Sequence, residues 1–208
     1  MAKPNGYTIH LLRVGDTAWD EDSRIIGQTD LPMTQAGSDA VADAIRAFAP
    51  EYPISLILTS DEESSRWSSN LMISSPEVKF KSISSLANVG MGLWEGVLKS
   101  ELHERCPSAY NQWKENPVRI TPPEGESFYG AQDRLMAGIL KGLSKAKGTH
   151  PSVAIVLRPW AWAIVRCWLN DQKICDIWSQ LSEPIEVQSF EVMKSQIDFY
   201  QSRAKASA

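Results

Sequence analysis

Apolar runs and helix-period stretches alternate along this 208-residue chain. Tyr7 to Arg13 is an apolar run that predicts a buried strand. Thr34 stands where a helix cap belongs, and Ala40, Val41, Ala44, Ile45 and Phe48 then fall on one face of a helix ending near Phe48. Ile54 to Leu58 is a short β-branched and Leu-rich run suited to a buried strand. Asp61 to Ile73 reads as a helix started by Ser60 or Asp61, and Val78 to Ile83 as another strand. Glu126 to Lys147 reads as a helix with Leu135, Ile139, Leu140 and Leu143 on one face. Val153 to Leu157 is a wholly apolar strand, followed by a helix with Pro159 in its first turn. Ile185 to Val192 is expected to return to the sheet edge, and the last eight residues to fray.

This order predicts one α/β domain over residues 1–208, with helices on both faces of a sheet. Neither an internal repeat nor a linker interrupts it. The stretch from Gly90 to Pro123 is irregular with short helical pieces, and residues 96–125 are its candidate lid.

Composition narrows the function classes. Hydrophobic residues make up 43% and charged residues 22% of the chain, ordinary for a globular protein. The net charge of −4 gives no argument for nucleic acid or an anionic membrane as partner. Trp160 to Leu169 is too short to span a bilayer and contains Arg166. The apolar run after Met1 to Gly6 is too short for a signal peptide, so a cytoplasmic location is the default expectation. Cys106, Cys167 and Cys175 lack metal-ligand spacing and read as buried thiols.

Five blocks of Gly, Pro, Trp and polar residues stand out, in order. The first has the skeleton Arg13, Gly15, Thr17, Trp19, Arg24, Gly27, Asp30, Pro32, Thr34 and Gly37. The second is Leu58-Thr59-Ser60-Asp61 and the third Gly92-Leu93-Trp94-Glu95-Gly96. Pro122-Pro123-Glu124-Gly125-Glu126-Ser127 is the fourth, and the strand from Val153 to Leu157 with its helix is the fifth. Together they resemble the histidine phosphatase (phosphoglycerate mutase-like) superfamily. The resemblance implies a three-layer sandwich with a mostly parallel central sheet. It also implies phosphoryl transfer through a phosphohistidine, which needs an imidazole nucleophile, cations around phosphate, a second His and an acid.

Against that pattern the chemical residues are gone. Val14 stands at the nucleophile, Arg158 at the second His, Ser64 at the second Arg and Asn88 at the acid. Asp20 replaces an Asn that touches phosphate in the family, and Pro159 and Trp160 replace two glycines. Arg66 falls on a different helix face from Ser64. Glu62 and Glu63 are expected at the rim. No catalytic residue is therefore expected at these positions.

A binding role is expected instead, through Arg13, Gly15, Asp20, Gly27, Gln28, Arg158 and Trp160. With Asp20 opposing Arg13 and Arg158, a single carboxylate, or a ligand with an aromatic part resting on Trp160, suits the charge better than a dianionic phosphate. Equally open is a pairing of Arg158 with Asp20 beneath Trp160, with no ligand. Asp16, Asp20, Glu21 and Asp22 have the chemistry for Mg²⁺, although a solvated acidic loop is the favoured reading, and no metal or cofactor is expected. His10 reads as a core or sheet-face residue, and His103 and His150 as loop or lid residues.

Three function classes stand beside one another. The leading one is a pseudoenzyme serving as a binding or regulatory module. The second is an enzyme with a relocated mechanism on Arg13, Arg158 and the acidic cluster. The third is a subunit that dimerises or docks on a protein partner through Trp113, Trp162, Trp168 and Trp178, although the core is the favoured place for most of these.

Overall fold

The computed structural model describes residues 4–174 and 177–198. Its strands are β1 (Gly6–Arg13), β2 (Leu56–Thr59), β3 (Lys79–Ser82), β4 (Ser152–Leu157) and β5 (Gln188–Met193). They form one sheet in the order β3-β2-β4-β1-β5. The first four are parallel, and β5 runs antiparallel to β1 at one edge. The helices are α1 (Ala18–Glu21), α2 (Gln35–Ala47), α3 (Glu63–Leu71), α4 (Lys99–Arg105), α5 (Pro107–Glu115), α6 (Phe128–Leu143), α7 (Pro159–Leu169) and α8 (Ile177–Leu181).

Side chains alternate across a strand, so a strand buried on both sides feeds two cores. In β4, Val153, Ile155 and Leu157 enter the larger core with residues of α6 and α7, while Ala154 and Val156 enter the smaller one with Val41 of α2. The expected α/β sandwich with a mostly parallel sheet is the observed one. The edge strand β3 is mostly exposed, and Lys79 and Lys81 place charge on that edge. His10 is buried between Ser189 and Ser152, which bond its two ring nitrogens at 2.8 and 2.9 Å.

Thr34 caps α2 as expected, its hydroxyl accepting from Gly37 N at 3.1 Å. The start of α3 differs from the sequence reading. Its cap position is Glu62, not Ser60 or Asp61, and the acceptor for Glu63 N is the carboxylate of Asp30, at 3.0 and 3.1 Å. A cap supplied from 33 residues away leaves no local signal. The last strand is also shifted: Ile185 and Val187 pack on the smaller core ahead of β5.

Residues 96–125 contain α4, α5 and a 3-10 turn, Pro117–Arg119. They pin onto the domain through Trp113, which is 1% exposed and packs on the rings of Trp94, Trp160 and Trp178. Trp162 and Trp168 are also buried, and Trp178 is half-buried. Cys167 is buried, but Cys106 is exposed at the junction of two short helices, so the expectation of a buried thiol fails there. Cys175 and the C-terminal residues expected to fray lie outside the described residues. Among the described residues no helix is long and apolar enough to cross a membrane.

Candidate functional site

The carboxyl ends of β1 and β4 lie side by side, with Arg13 in register with Leu157 and Val14 N bonded to Leu157 O at 3.0 Å. Open α/β sheets place their sites at such ends. Val14, 1% exposed, turns into the smaller core with Leu12, Ile57 and Val156. The chain then bends at Gly15, where a Cβ would come within 2.2 Å of the Gly37 carbonyl oxygen. Backbone contact this close holds the turn against the first residues of α2 and explains both glycines.

Arg13 and Arg158 have different partners. Its guanidinium lies 5.9 Å from the Trp162 ring centre, donates to Glu183 O at 3.4 Å and stands 4.0 Å from Asp16. Burial pushes the Arg13 pKa down, and Asp16 and Asp20 oppose that shift.

Arg158 is 1% exposed. Its Nη1 donates to Thr29 O at 2.9 Å and to Glu62 Oε1 at 3.2 Å. Glu62 also accepts from Ser60 Oγ and from Asn88 N. Two expectations are corrected here. Arg158 pairs with Glu62 and not with Asp20. Glu62 is not at the rim: it is buried, because extended backbone at the cap of α3 turns its side chain inward, while Glu63 stays outside. Ser64 is buried beside it, its hydroxyl without a bonding partner among the described residues, and Arg66 faces solvent.

Asn88, fully buried, links three segments. Its Nδ2 donates to Gly27 O at 2.9 Å, and its Oδ1 accepts from Trp160 N and Ala161 N, both at 3.1 Å. A helix start exposes unsatisfied N–H groups that attract anions. In α7, Pro159 removes one of these donors and Asn88 fills two others with a neutral amide oxygen.

The loop carrying Asn88 is braced from several sides. Gln28 and Arg134 each donate to Asn88 O at 2.8 Å, and Arg134 pairs with Glu126. Glu95 accepts from Gln28 N, Thr29 N and Met91 N at 2.9, 2.9 and 3.0 Å and from Thr29 Oγ1 at 2.6 Å. Burial alone would push the Glu95 carboxyl up, but these bonds outweigh it and hold the pKa below the usual value. At Gly27 a Cβ would fall 2.0 Å from Glu95 Oε1, so a side chain there would have to push this carboxylate off its bonds.

Asp20 closes a capping box, accepting from Thr17 N at 2.7 Å and Thr17 Oγ1 at 2.9 Å. Burial pushes its pKa up against those bonds. Asp16 adds to the rise, while the more distant charge of Arg158 opposes it. The acidic segment is divided: Asp16 stands near Arg13, Asp22 lies 3.5 Å from Arg24, and Asp20 is occupied by Thr17. Among the described residues no group of three or more His, Cys, Asp or Glu is placed to hold a metal ion. His103 rests on Tyr110, and His150 bonds Glu191 at 2.7 Å.

The structure thus gathers Gly27, Gln28, Asn88, Arg158 and Trp160 around one buried network and leaves Arg13 and Asp20 beside it. Gly15 is buried in its turn against Gly37, and Gln28 keeps one exposed side. Glu62, Glu126 and Arg134 hold the network; the sequence offered Glu62 only as a rim acid and Glu126 only as a motif residue, and Arg134 was not picked out. An unpaired arginine at 158 was the one available hint that a buried acid must exist.

Comparison with known proteins places these features in context. The "Probable phosphoglycerate mutase GpmB" of Shigella boydii serotype 18 is 28% identical over 177 residues, covering 80% of this chain and 82% of that protein. The solved structure of Bacillus stearothermophilus YhfR superposes with a TM-score of 0.72 at 24% identity, covering 86% of each chain. The alpha-ribazole phosphatase from Shigella flexneri gives 0.68 at 19% identity, covering 83% of this chain and 84% of that one. The sequence model of the histidine phosphatase superfamily (branch 1) matches residues 9–200. Motif order, sheet topology and the reach of that match lead to one conclusion: the chain belongs to the histidine phosphatase superfamily, branch 1.

Proposed function

We propose that this chain is a member of its superfamily without phosphohistidine chemistry, a pseudoenzyme that keeps the fold as a binding or regulatory module. The observation that carries this reading is Val14. The position expected for the nucleophile holds a buried apolar side chain within a hydrophobic cluster. An isopropyl group offers no lone pair to phosphorus.

The remaining positions support the same reading. Arg158 is neutralised by Glu62, and the first N–H groups of α7 are occupied by Asn88. Removing one member of a cooperating catalytic unit costs roughly 10⁴–10⁶ in rate, and here every member but Arg13 differs.

The test is hydrolysis of p-nitrophenyl phosphate and 3-phosphoglycerate by the purified protein, with and without Mg²⁺, Mn²⁺ and Zn²⁺. The expected rate equals the buffer blank. Turnover above the blank that disappears in Arg13→Ala overturns the reading.

A further inference from the structure

Helix α3 is built the wrong way round for a surface helix. Such helices turn apolar residues inward and polar ones out. In α3, Ser64, Ser65, Ser68 and Ser69 are buried, and two of their hydroxyls bond back to the helix, Ser68 to Ser64 O at 2.8 Å and Ser69 to Ser65 O at 2.7 Å. Trp67 and Leu71, one turn apart, face outward instead, and Ile73 follows them. Phe80 joins them from the edge strand β3. It is in register with Ile57, which packs in the smaller core with Met72 just after α3, so Phe80 and α3 share one side of the sheet. These four side chains are each between 37% and 44% exposed. Apolar residues scattered singly over a surface need no explanation, but four on α3 and the edge strand it leads to do.

The same region carries charge of both signs. A hollow of about 300 Å³ beside Trp67 is lined by Asp30, Asp61, Glu63, Arg66 and Asn70. Its acids gather toward the carboxyl end of the sheet, where Asp61 bonds Ser82, the last residue of β3, and Glu63 opens α3. Lys79 stands at the other end as the first residue of β3, with Lys81 two positions on. Arg66 has no ion-pair partner among the described residues. Asp30, Asp61 and Glu63 are thus matched in charge by Arg66, Lys79 and Lys81. A two-fold axis across the strands reverses their direction and sets the acidic end of one copy toward Lys79 of another. With that axis passing between Arg66 and Trp67, each guanidinium meets the other copy's indole, a favourable contact. Direct pairing of β3 with its own copy is unfavourable, because Lys79 and Lys81 stand opposite each other when Phe80 meets Phe80.

We propose that the outer face of α3, with Phe80 beside it, docks a second copy of this chain around such a two-fold axis, giving a homodimer joined through helices and not by extension of the sheet. An apolar centre rimmed by charge is the anatomy of a protein interface, and here the rim is complementary to itself. Trp113, Trp162 and Trp168 are buried in the domain, whereas Trp67 is exposed at the middle of this face.

Sedimentation equilibrium of the full chain over roughly 1–300 μM, the range of a micromolar interface, tests it. A monomer–dimer equilibrium is expected. Trp67→Glu and Leu71→Glu should each raise the dissociation constant roughly thirtyfold or more, as loss of an interface anchor does. Tyr129→Glu, at an exposed aromatic on α6, is the control and should leave association unchanged. Glu63→Lys and Lys79→Glu should each weaken the dimer about two- to fivefold, and the double variant Glu63→Lys/Lys79→Glu should recover it. Circular dichroism checks the fold of each variant, and should Trp67→Glu fail to fold, Leu71→Glu decides. A chain that stays monomeric overturns the proposal, as does a dimer untouched by Leu71→Glu. Single charge reversals that the double variant does not repair overturn the two-fold docking. The measurement reads mass and not turnover, so its outcome is independent of the pseudoenzyme reading.

Discussion

The carboxylate of Glu62 stands 3.2 Å from the guanidinium of Arg158, joining the cap of α3 to the end of β4 across 96 residues of sequence. Both side chains are buried, and each is the nearest compensation for the other's charge. Breaking such a pair costs more than the pair contributes, because the survivor is left charged in a low-dielectric interior. Glu62→Gln should therefore destabilise the fold by about 3 kcal/mol. The double variant Glu62→Leu/Arg158→Met should recover most of that loss. Urea unfolding of the single and double variants measures both. Equal destabilisation in the two proteins would show that the pairing is not the source of the effect.

Val14→His alone should restore no turnover, since Ser64, Asn88 and Arg158 remain as they are. It should also lower stability by about 1–3 kcal/mol, because an imidazole would enter an apolar cluster without a polar partner. Thermal melts and a p-nitrophenyl phosphate assay on the same preparation give both readings. Recovered turnover in this single variant would mean that one residue separates the chain from activity.

Asn88→Ala removes the acceptor of the Trp160 and Ala161 N–H groups and the donor to Gly27 O. The expected cost is about 1–2 kcal/mol, that of a lost helix cap. Hydrogen exchange should locate the loss in the first turn of α7. Protection there unchanged from the wild type would remove Asn88 as the cap.

His10 sets a pH dependence whose sign can be worked out. Burial lowers its pKa beneath the ordinary 6.5, with Glu191 opposing, so the native state binds fewer protons than the unfolded chain in that window. Its contribution is therefore full above pH 6.5 and is lost as pH falls through the lowered native value. His10→Gln should flatten the stability profile below pH 6.5. Stability measured by urea as pH falls from 6.5, with an unchanged slope in the variant, would reject the assignment.

Much of the fold was legible in the chain. The apolar runs of β1 and β4 read as buried strands, and Thr34 carries its own capping hydroxyl. The altered positions were legible too, because Gly15, Gly27, Trp94 and Gly96 keep the spacing against which Val14, Ser64, Asn88 and Arg158 stand out. The partners of those positions were not. Glu62 looked like a rim acid because a helix-start position does not reveal which way extended backbone turns its side chain.

By itself the sequence determined the order of elements, the family and the loss of an imidazole at position 14, since each follows from local periodicity or residue identity. The tertiary structure alone decided that Glu62 neutralises Arg158, that Asn88 caps α7 and that Trp113, Trp160 and Trp178 from distant segments pack ring against ring. These are contacts between residues far apart in the chain, and their geometry is set by how the helices pack on the sheet. Only packing brings a carboxylate within bonding distance of a guanidinium 96 positions away.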